Sequence, residues 1–230
     1  MSEYIPTTPE AIEEKLLELS EKIGNIATEY SENDGRCIFL NNLRLPVIFM
    51  FTKLHTWITL RDHHELRDTY SQIIGLTDGD LNGFLHQERF FIRLSSIVMF
   101  QFQIEALFKN ILIKLDEQES PYDYTNIVKK LLKKLELDTK ERRDTLNILA
   151  YIRNCFHSNG IHTKKSITVI IDDEKFEFIQ NKPFSRGDYG DLCFVLNKIV
   201  TVVNEILNSD DVKHLETIPF QYTSKNYPQQ

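Results

Sequence analysis

Apolar residues recur at spacings of three and four along most of the chain, and this pattern predicts amphipathic helices. A first helix is predicted to begin at Thr8, which can cap it, and to end at the turn residues Asn33-Asp34-Gly35. A second is predicted from Leu45-Pro46 to Ile74, with Gly75 as its stop.

The clearest helical pattern runs from Gln87 to about Leu115, where apolar residues occupy most sides, as expected of a central helix. Pro121 is predicted to open a short fourth helix. A fifth is predicted from Thr139 to Phe156, with Asn159-Gly160 as a left-handed cap. The last predicted helix extends from Tyr189 to Leu207.

The period changes to two near residues 166–180, where β-branched and aromatic residues alternate with charged ones around Asp172-Asp173-Glu174. This segment is predicted to form a short β-hairpin. The fold class is therefore mainly α, a helical bundle of five to six helices with one hairpin. Residues 1–208 are expected to form a single domain, and residues 209–230 an irregular tail.

Composition narrows the class of protein. Of 230 residues, 41% are hydrophobic and 27% charged, which is typical of a globular chain. The net charge of −7 argues against a general nucleic-acid coat but leaves room for a local basic patch. Three widely spaced cysteines, no secretory signal and only short apolar runs predict a cytoplasmic protein without membrane segments.

The chemically informative segment is Arg153-Asn154-Cys155-Phe156-His157, at the end of the fifth predicted helix. Arg153 and His157 are four residues apart, so their side chains are neighbours on one face. Arg153 also lies close to the apolar stripe of that helix, where a cation is costly without a partner. It is either a member of a structural ion pair or part of a groove or subunit interface that receives an anion.

Metal-free RNA cleavage requires groups of this kind. A histidine can exchange protons near neutral pH, and the planar fork of an arginine suits a phosphate. Asn154 could position the phosphate or orient His157. The competing interpretation is that His157 is an ordinary histidine at the edge of the core.

Arg153-Asn154 followed by His157, then Asn159-Gly160 and a final helix, resembles the signature of the HEPN superfamily. The stretch 104–109 also looks like part of a HEPN core helix, and the resemblance covers about residues 85–208. Four to six residues usually separate the arginine and the histidine in that family, whereas three do so here.

The resemblance implies a metal-independent endoribonuclease of a toxin–antitoxin or anti-phage defence system. It also implies a homodimer with a composite cleft, no cofactor, and an antitoxin or other protein as a partner. Non-catalytic HEPN-like interaction modules are the alternative, and a helical regulatory protein outside the family is a third hypothesis.

Other charged residues are assigned supporting roles. Glu105 is predicted to orient His157 or to form a structural ion pair with Arg153 or another cation. A basic belt before the motif is a candidate for RNA-backbone binding, or else a solvated face, and it includes Lys133, Lys134, Arg142 and Arg143. No pair of histidines has the spacing of a metal motif, so no metal site is predicted.

Overall fold

The computed structural model describes residues 5–115 and 123–220, and the fold is mainly α, as predicted. Eight helices and two small two-stranded sheets lie in these ranges. In chain order the elements are α1 (Pro9–Ala27), α2 (Gly35–Asp62), α3 (His64–Ile74), α4 (Asp78–Lys114), α5 (Tyr124–Lys134), α6 (Lys140–His157), β1 (Ile161–His162), β2 (Ile167–Ile171), β3 (Glu174–Phe178), β4 (Lys182–Pro183), α7 (Tyr189–Leu207) and α8 (Asp210–Lys213).

The predicted start of α1 is confirmed, because the Thr8 hydroxyl accepts a hydrogen bond of 3.3 Å from the backbone N–H of Ala11. Its predicted end is wrong. α1 ends at Ala27, and Asp34 is the N-cap of α2, where its carboxylate accepts a 2.8 Å bond from the N–H of Arg36. An aspartate in such a turn can end one helix or begin the next, and here it does the latter.

The prediction of one helix from Leu45-Pro46 to Ile74 is also wrong. α2 passes through Pro46, and a single extended residue, His63, separates it from α3. A proline inside a helix removes a backbone hydrogen bond. The helix continues because buried apolar residues on both sides of Pro46 pack into the core, namely Phe39, Leu40, Leu43, Val47 and Met50.

α4 is longer than predicted, since it begins at Asp78 rather than at Gln87. Thr77 is its N-cap and accepts a hydrogen bond of 3.3 Å from the N–H of Asp80.

Gly75, at φ +70°, ends α3 as predicted. Pro121 lies outside the described residues. α7 has the predicted bounds, and those of α6 differ from the prediction by a single residue at each end.

The predicted hairpin is confirmed. β2 and β3 pair antiparallel with Ile167 opposite Phe178, and the alternate residues Val169, Ile171, Phe176 and Phe178 are buried. A second antiparallel pair, β1 with β4, lies beside it and was not predicted. Strands of two residues are too short to show an alternating pattern.

One contiguous cluster of buried apolar residues draws on α1, α2, α4, α5, α6, α7 and the β2–β3 hairpin. α2 packs against both α1 and α4, and α4 also contacts α5 and α6. α2 and α4 run antiparallel, as the pairs Lys53–Glu88 and Asn42–Gln103 show. α4 thus connects the first two helices to the half of the chain that carries the Arg-Asn…His motif.

Residues 209–220, expected to be irregular, include α8 and pack against the start of α2. Ile218 is buried, and its carbonyl oxygen accepts a hydrogen bond of 2.7 Å from the N–H of Gly35. The guanidinium of Arg36 donates to the carbonyl oxygens of Val212 (3.1 Å) and Leu215 (2.8 Å). The rest of the predicted tail, residues 221–230, lies outside the described residues.

Helices α2 and α4 are long and apolar enough to cross a membrane by length and composition, each with an 18-residue window of mean hydropathy 1.3. The short apolar runs in the sequence did not indicate this. Buried core helices have the same composition, and 44% and 39% of the two windows are buried here. The two helices are therefore weak evidence for a membrane location, and nothing in the described fold positively indicates one.

Candidate functional site

The Arg-Asn…His motif forms the last turns of α6. The helix is capped at its start by Thr139 and held in the core by Leu146, Leu149, Ile152 and Cys155. It ends where Asn159 and Gly160 adopt positive φ angles of 53° and 83°, as predicted for a left-handed cap. The N–H of Gly160 then donates a 2.8 Å hydrogen bond to the carbonyl oxygen of Cys155.

Arg153 and Asn154 are half-buried, whereas His157 is exposed. Within residues 5–115 and 123–220, no hydrogen bond or ion pair joins Arg153 to another side chain. One helical turn brings Arg153 and His157 onto neighbouring positions of the same face. The pair thus combines a cation at the edge of the core with an imidazole that is open to solvent.

Aromatic packing fixes the last turn of α6 against α4. Phe156 contacts Phe90 of α4 edge to face, with ring centroids 5.4 Å apart. Phe184, which follows β4, packs against the core nearby, and its N–H donates a hydrogen bond of 2.8 Å to the carbonyl oxygen of Gly160. The end of α6 is therefore held from two sides, and His157 projects from a rigid support.

Glu105 lies on α4 and forms an ion pair of 2.6 Å with Lys109, one turn along the same helix. Glu105 and Arg153 both affect the ionisation of Tyr124, the first residue of α5. Burial raises the pKa of the Tyr124 phenol, the Glu105 carboxylate raises it further, and the Arg153 guanidinium opposes both effects. The three side chains therefore share one electrostatic environment, although Glu105 takes Lys109 as its ion-pair partner.

Tyr124 is a member of this cluster that the sequence did not single out. Its hydroxyl is buried and donates a hydrogen bond of 2.9 Å to the carbonyl oxygen of Leu146 on α6. This bond ties the start of α5 to the helix that carries the motif. A tyrosine close after Pro121 could not be recognised as a neighbour of Arg153 without the fold.

The basic belt is partly paired with acids. Arg142 donates to Glu205 at 2.8 Å, and Arg143 pairs with Asp138 at 2.5 Å. Lys133 and Lys134 are exposed in the last turn of α5. Arg142 precedes Arg153 by three turns of α6, which is about 16 Å along the axis. The arginines of the belt therefore lie away from the motif.

His162 is a second histidine near the end of α6, and it is buried. Its Nε2 lies 3.1 Å from the carbonyl oxygen of Lys165, which can only accept, so Nε2 carries the proton. Its Nδ1 lies 3.8 Å from the Cys155 sulfur. Because burial raises the pKa of the Cys155 thiol, this pair joins β1 to α6 as a structural contact and not as an activated nucleophile.

A separate cluster was also missed by the sequence reasoning. Arg89 and Arg93 lie four residues apart on α4 and are both half-buried, close to Trp57 and Tyr189. The sequence feature that could have identified this cluster is a pair of arginines one helical turn apart in an otherwise apolar stretch. No group of three or more potential metal-ligating side chains occurs in the part of the chain that the structure describes.

The chain matches no protein-family model, no curated protein and no solved structure.

Proposed function

We propose that the chain is a metal-independent endoribonuclease of HEPN type that acts as a homodimer. The observation that supports this most is the placement of Arg153 and His157 on one face at the end of α6. Arg153 is half-buried without an ion-pair partner among the described residues, and His157 is exposed. A half-buried guanidinium that no described carboxylate neutralises, next to a solvent-exposed imidazole, is a suitable binding site for an RNA phosphate.

In the proposed reaction the 2'-oxygen of the RNA attacks the adjacent phosphorus, and the bond from phosphorus to the 5'-oxygen breaks. His157 accepts the proton of the 2'-hydroxyl or donates a proton to the departing 5'-oxygen. Arg153 donates hydrogen bonds to the non-bridging oxygens as negative charge develops there. The products are a 2',3'-cyclic phosphate and a free 5'-hydroxyl.

Asn154 and Glu105 have supporting roles in this proposal. The half-buried Asn154 lies between the two reacting residues in sequence, where its amide can position the phosphate. Glu105 neutralises Lys109 and contributes negative potential around Tyr124, so it acts as a structural partner behind the site. Lys133 and Lys134 are exposed at the end of α5, and we assign them to contacts with the RNA backbone.

A solvent-facing stripe of apolar side chains on α4 supports the homodimer. Phe84, Phe91, Phe102 and Ile113 are 39%, 63%, 56% and 50% exposed. At 100° per residue these four positions fall within about 40° of one another around the helix, and they span about 44 Å of its length. Exposed apolar side chains repeated along one face of a long helix suit an interface with a second copy, in which α4 helices pack together.

The contact between Phe90 and Phe156 places this stripe on the helix that supports the end of α6. A dimer formed through α4 therefore brings together the helices that support the motif in the two protomers. In the proposed dimer the two Arg–His pairs line one composite cleft. We place the enzyme in the cytoplasm as a toxin or defence effector, with an antitoxin or other protein as its partner.

The alternative is a non-catalytic HEPN-like interaction module. It is favoured by the effect of the Arg153 guanidinium on the ionisation of the buried Tyr124, since an arginine with a purely structural role also has such an effect. In that case Arg153 stabilises the junction of α4, α5 and α6, and His157 is an ordinary surface residue.

Incubation of the purified protein with a mixed RNA pool distinguishes the two. Cleavage is expected to persist in EDTA and to leave 2',3'-cyclic phosphate ends. His157→Ala and Arg153→Ala should each lower the rate by at least about 100-fold, the usual minimum for loss of a general acid–base group. His64→Ala, which removes an exposed histidine from α3, is the matched control and should leave the rate unchanged.

Thermal unfolding of the same variants completes the test. His157→Ala should unfold at the temperature of the parent, because an exposed side chain contributes little packing. If the parent leaves RNA intact and Arg153→Ala mainly lowers the unfolding temperature, the enzyme proposal fails and the interaction module is retained.

A further inference from the structure

A second site candidate lies on the other side of α4 from the exposed stripe of apolar residues. An open cavity of about 250 Å³ lies between α2, α4 and the starts of α1 and α7. Its polar lining consists of Trp57, His86, Arg89, Arg93, Asp188 and Tyr189. Neither the Arg-Asn…His motif nor the basic belt contributes to it.

Three residues that line this cavity each carry a buried donor that lacks a hydrogen-bond partner. These donors are the Nε atoms of Arg89 and Arg93 and the hydroxyl of Tyr189, whose side chain is only 7% exposed. A buried donor without an acceptor costs about 1–3 kcal/mol, and more when it is charged. Seven such buried side-chain atoms occur in the described residues, and three of them converge here. This concentration indicates a ligand that supplies acceptors.

The two guanidinium groups are held in place by other contacts. The Arg89 guanidinium lies over the Trp57 ring at 4.6 Å from its centroid. Arg93 donates one hydrogen bond of 3.1 Å from NH1 to the carbonyl oxygen of Gly187 and lies 5.8 Å from the Tyr189 ring centroid. Both guanidinium groups are therefore oriented before a ligand binds, so little side-chain conformational entropy is lost on binding.

The charge of the cavity favours an anion. Asp188 is the only acid among its described lining residues, and one of its carboxylate oxygens accepts a 2.9 Å hydrogen bond from the N–H of Asp191 as the N-cap of α7. Glu88, next to Arg89 in sequence, is neutralised by Lys53 at 2.5 Å. Two arginines thus outweigh one aspartate in a partly desolvated site, where electrostatic attraction is strong.

We propose that this cavity binds the phosphate group of a small phosphate compound, with Arg89, Arg93 and Tyr189 as its ligands. The paired N–H groups of each guanidinium match the oxygen geometry of a phosphate. The phenol hydroxyl adds a third donor, which is neutral. The volume lies below the range of about 300–1,000 Å³ for pockets that hold drug-sized ligands, so the rest of the ligand is small. The Trp57 ring provides an aromatic wall for it. The site does not depend on RNA cleavage.

Trp57 is the only tryptophan in the chain and lines the cavity, so tryptophan emission reports on the surroundings of this one residue. We expect a saturable change in emission on titration with inorganic phosphate at constant ionic strength, and none with added chloride. A parallel titration with a nucleoside monophosphate distinguishes the free ion from an ester. Tighter binding of the monophosphate means that the organic part also occupies the cavity, and equal or weaker binding means that free phosphate is the ligand.

Three variants locate the binding. Arg93→Gln should abolish the response, and Tyr189→Phe should weaken binding by roughly tenfold, as expected for one hydrogen bond to a charged group. Arg61→Gln is the control. Arg61 also lies near the Trp57 ring, at 5.4 Å, but it pairs with Glu10 and Asp62 and does not line the cavity. That variant should bind like the parent.

The proposal is overturned if neither phosphate compound gives a saturable response in the parent, or if Arg93→Gln responds as the parent does. Circular dichroism establishes whether Arg93→Gln folds. If it does not, Tyr189→Phe decides, because removal of one unpaired hydroxyl leaves the fold intact, and unchanged affinity in that variant contradicts the proposed ligand set.

Discussion

Arg93 on α4 donates a hydrogen bond of 3.1 Å to the carbonyl oxygen of Gly187, the residue before the N-cap of α7. Gly187 has φ +103°, and a methyl group added to it would lie 3.2 Å from a ring carbon of Phe184 and 3.7 Å from one of Phe156. One backbone position therefore separates the arginine cavity from the aromatic packing behind the candidate RNase site. Gly187 thus lies next to both groups of residues.

Gly187→Ala should destabilise the fold by about 1–3 kcal/mol, because the backbone angle and the contact with Phe184 both oppose a side chain. Urea unfolding measures the effect. Gly83→Ala in α4 is the matched control, since no atom lies within 4 Å of the added methyl group. That variant should be more stable than the parent by up to about 1 kcal/mol. Equal stability of Gly187→Ala and the parent would show that neither the backbone angle nor the Phe184 ring opposes a side chain at this position.

Arg36→Met should destabilise the protein by about 3–5 kcal/mol, the usual effect of leaving a buried charge unpaired. Arg36 is 3% exposed, and it pairs with Asp34 at 2.6 Å as well as with carbonyl oxygens of the C-terminal segment. Chemical denaturation followed by circular dichroism measures the loss. Arg61→Met removes only exposed ion pairs and should destabilise the protein far less than Arg36→Met does.

A double variant tests the cause of that loss. Asp34→Asn keeps an N-cap side chain while it removes the charge, so Arg36→Met with Asp34→Asn should be more stable than Arg36→Met alone. If the double variant is less stable, the unpaired carboxylate is not the source of the destabilisation.

Local signals account for the elements that the sequence predicted well. Thr8 caps α1, the alternation in residues 166–180 forms a hairpin, and Tyr189–Leu207 is a helix with a complete apolar stripe. Each of these depends on residues close together in the chain. The Arg-Asn…His motif belongs to the same class, since one helical turn is enough to bring its side chains together.

Long-range packing determines what the sequence did not predict. Pro46 stays in α2 because its neighbours are buried against α1 and α4, and Arg36 is satisfied by carbonyl oxygens some 180 residues away. The arginine cavity joins α2, α4 and α7, so no local pattern contains it. The stripe on α4 could have been read from spacing alone, but only the fold shows which apolar face is exposed.

Tyr189→Phe should make the protein more resistant to alkali. Burial raises the pKa of Tyr189 to about 12, although the nearby Arg93 and Arg89 oppose the shift. An unfolded tyrosine has a pKa near 10, so the unfolded state loses its proton first, and stability is lost as the pH rises from about 10 to 12. For this residue the loss is about 1.4 kcal/mol at pH 11.

Phenylalanine cannot ionise, so the variant should lack that part of the loss. Urea unfolding of the parent and of Tyr189→Phe at pH 7 and pH 11 isolates the effect of this residue, because all other ionisable groups are shared. At pH 7 the variant should be at least as stable as the parent, since the hydroxyl has no partner in the structure. An identical pH dependence of the two proteins would show that Tyr189 is not protected by burial.

Phe102→Lys should convert the proposed homodimer to a monomer. Phe102 is 56% exposed and lies near the middle of the apolar stripe on α4. A two-fold interface contains each residue twice. Loss of a buried phenylalanine, at about 1.5–3 kcal/mol per copy, therefore weakens the dimer by about 100-fold or more. Light scattering at tens of micromolar protein measures the change in mass.

The control for that variant is Ile73→Lys, which introduces the same charge at a residue of α3 that is 77% exposed and is not part of the stripe. It should remain dimeric.

In the RNase assay Phe102→Lys should lose cleavage although Arg153 and His157 are intact, because a monomer cannot assemble a composite cleft. A parent protein that scatters as a monomer removes both the interface and the composite mechanism. If Phe102→Lys is monomeric and still cleaves RNA, Arg153 and His157 remain the proposed catalytic residues. The whole site then lies within one chain and is not composite.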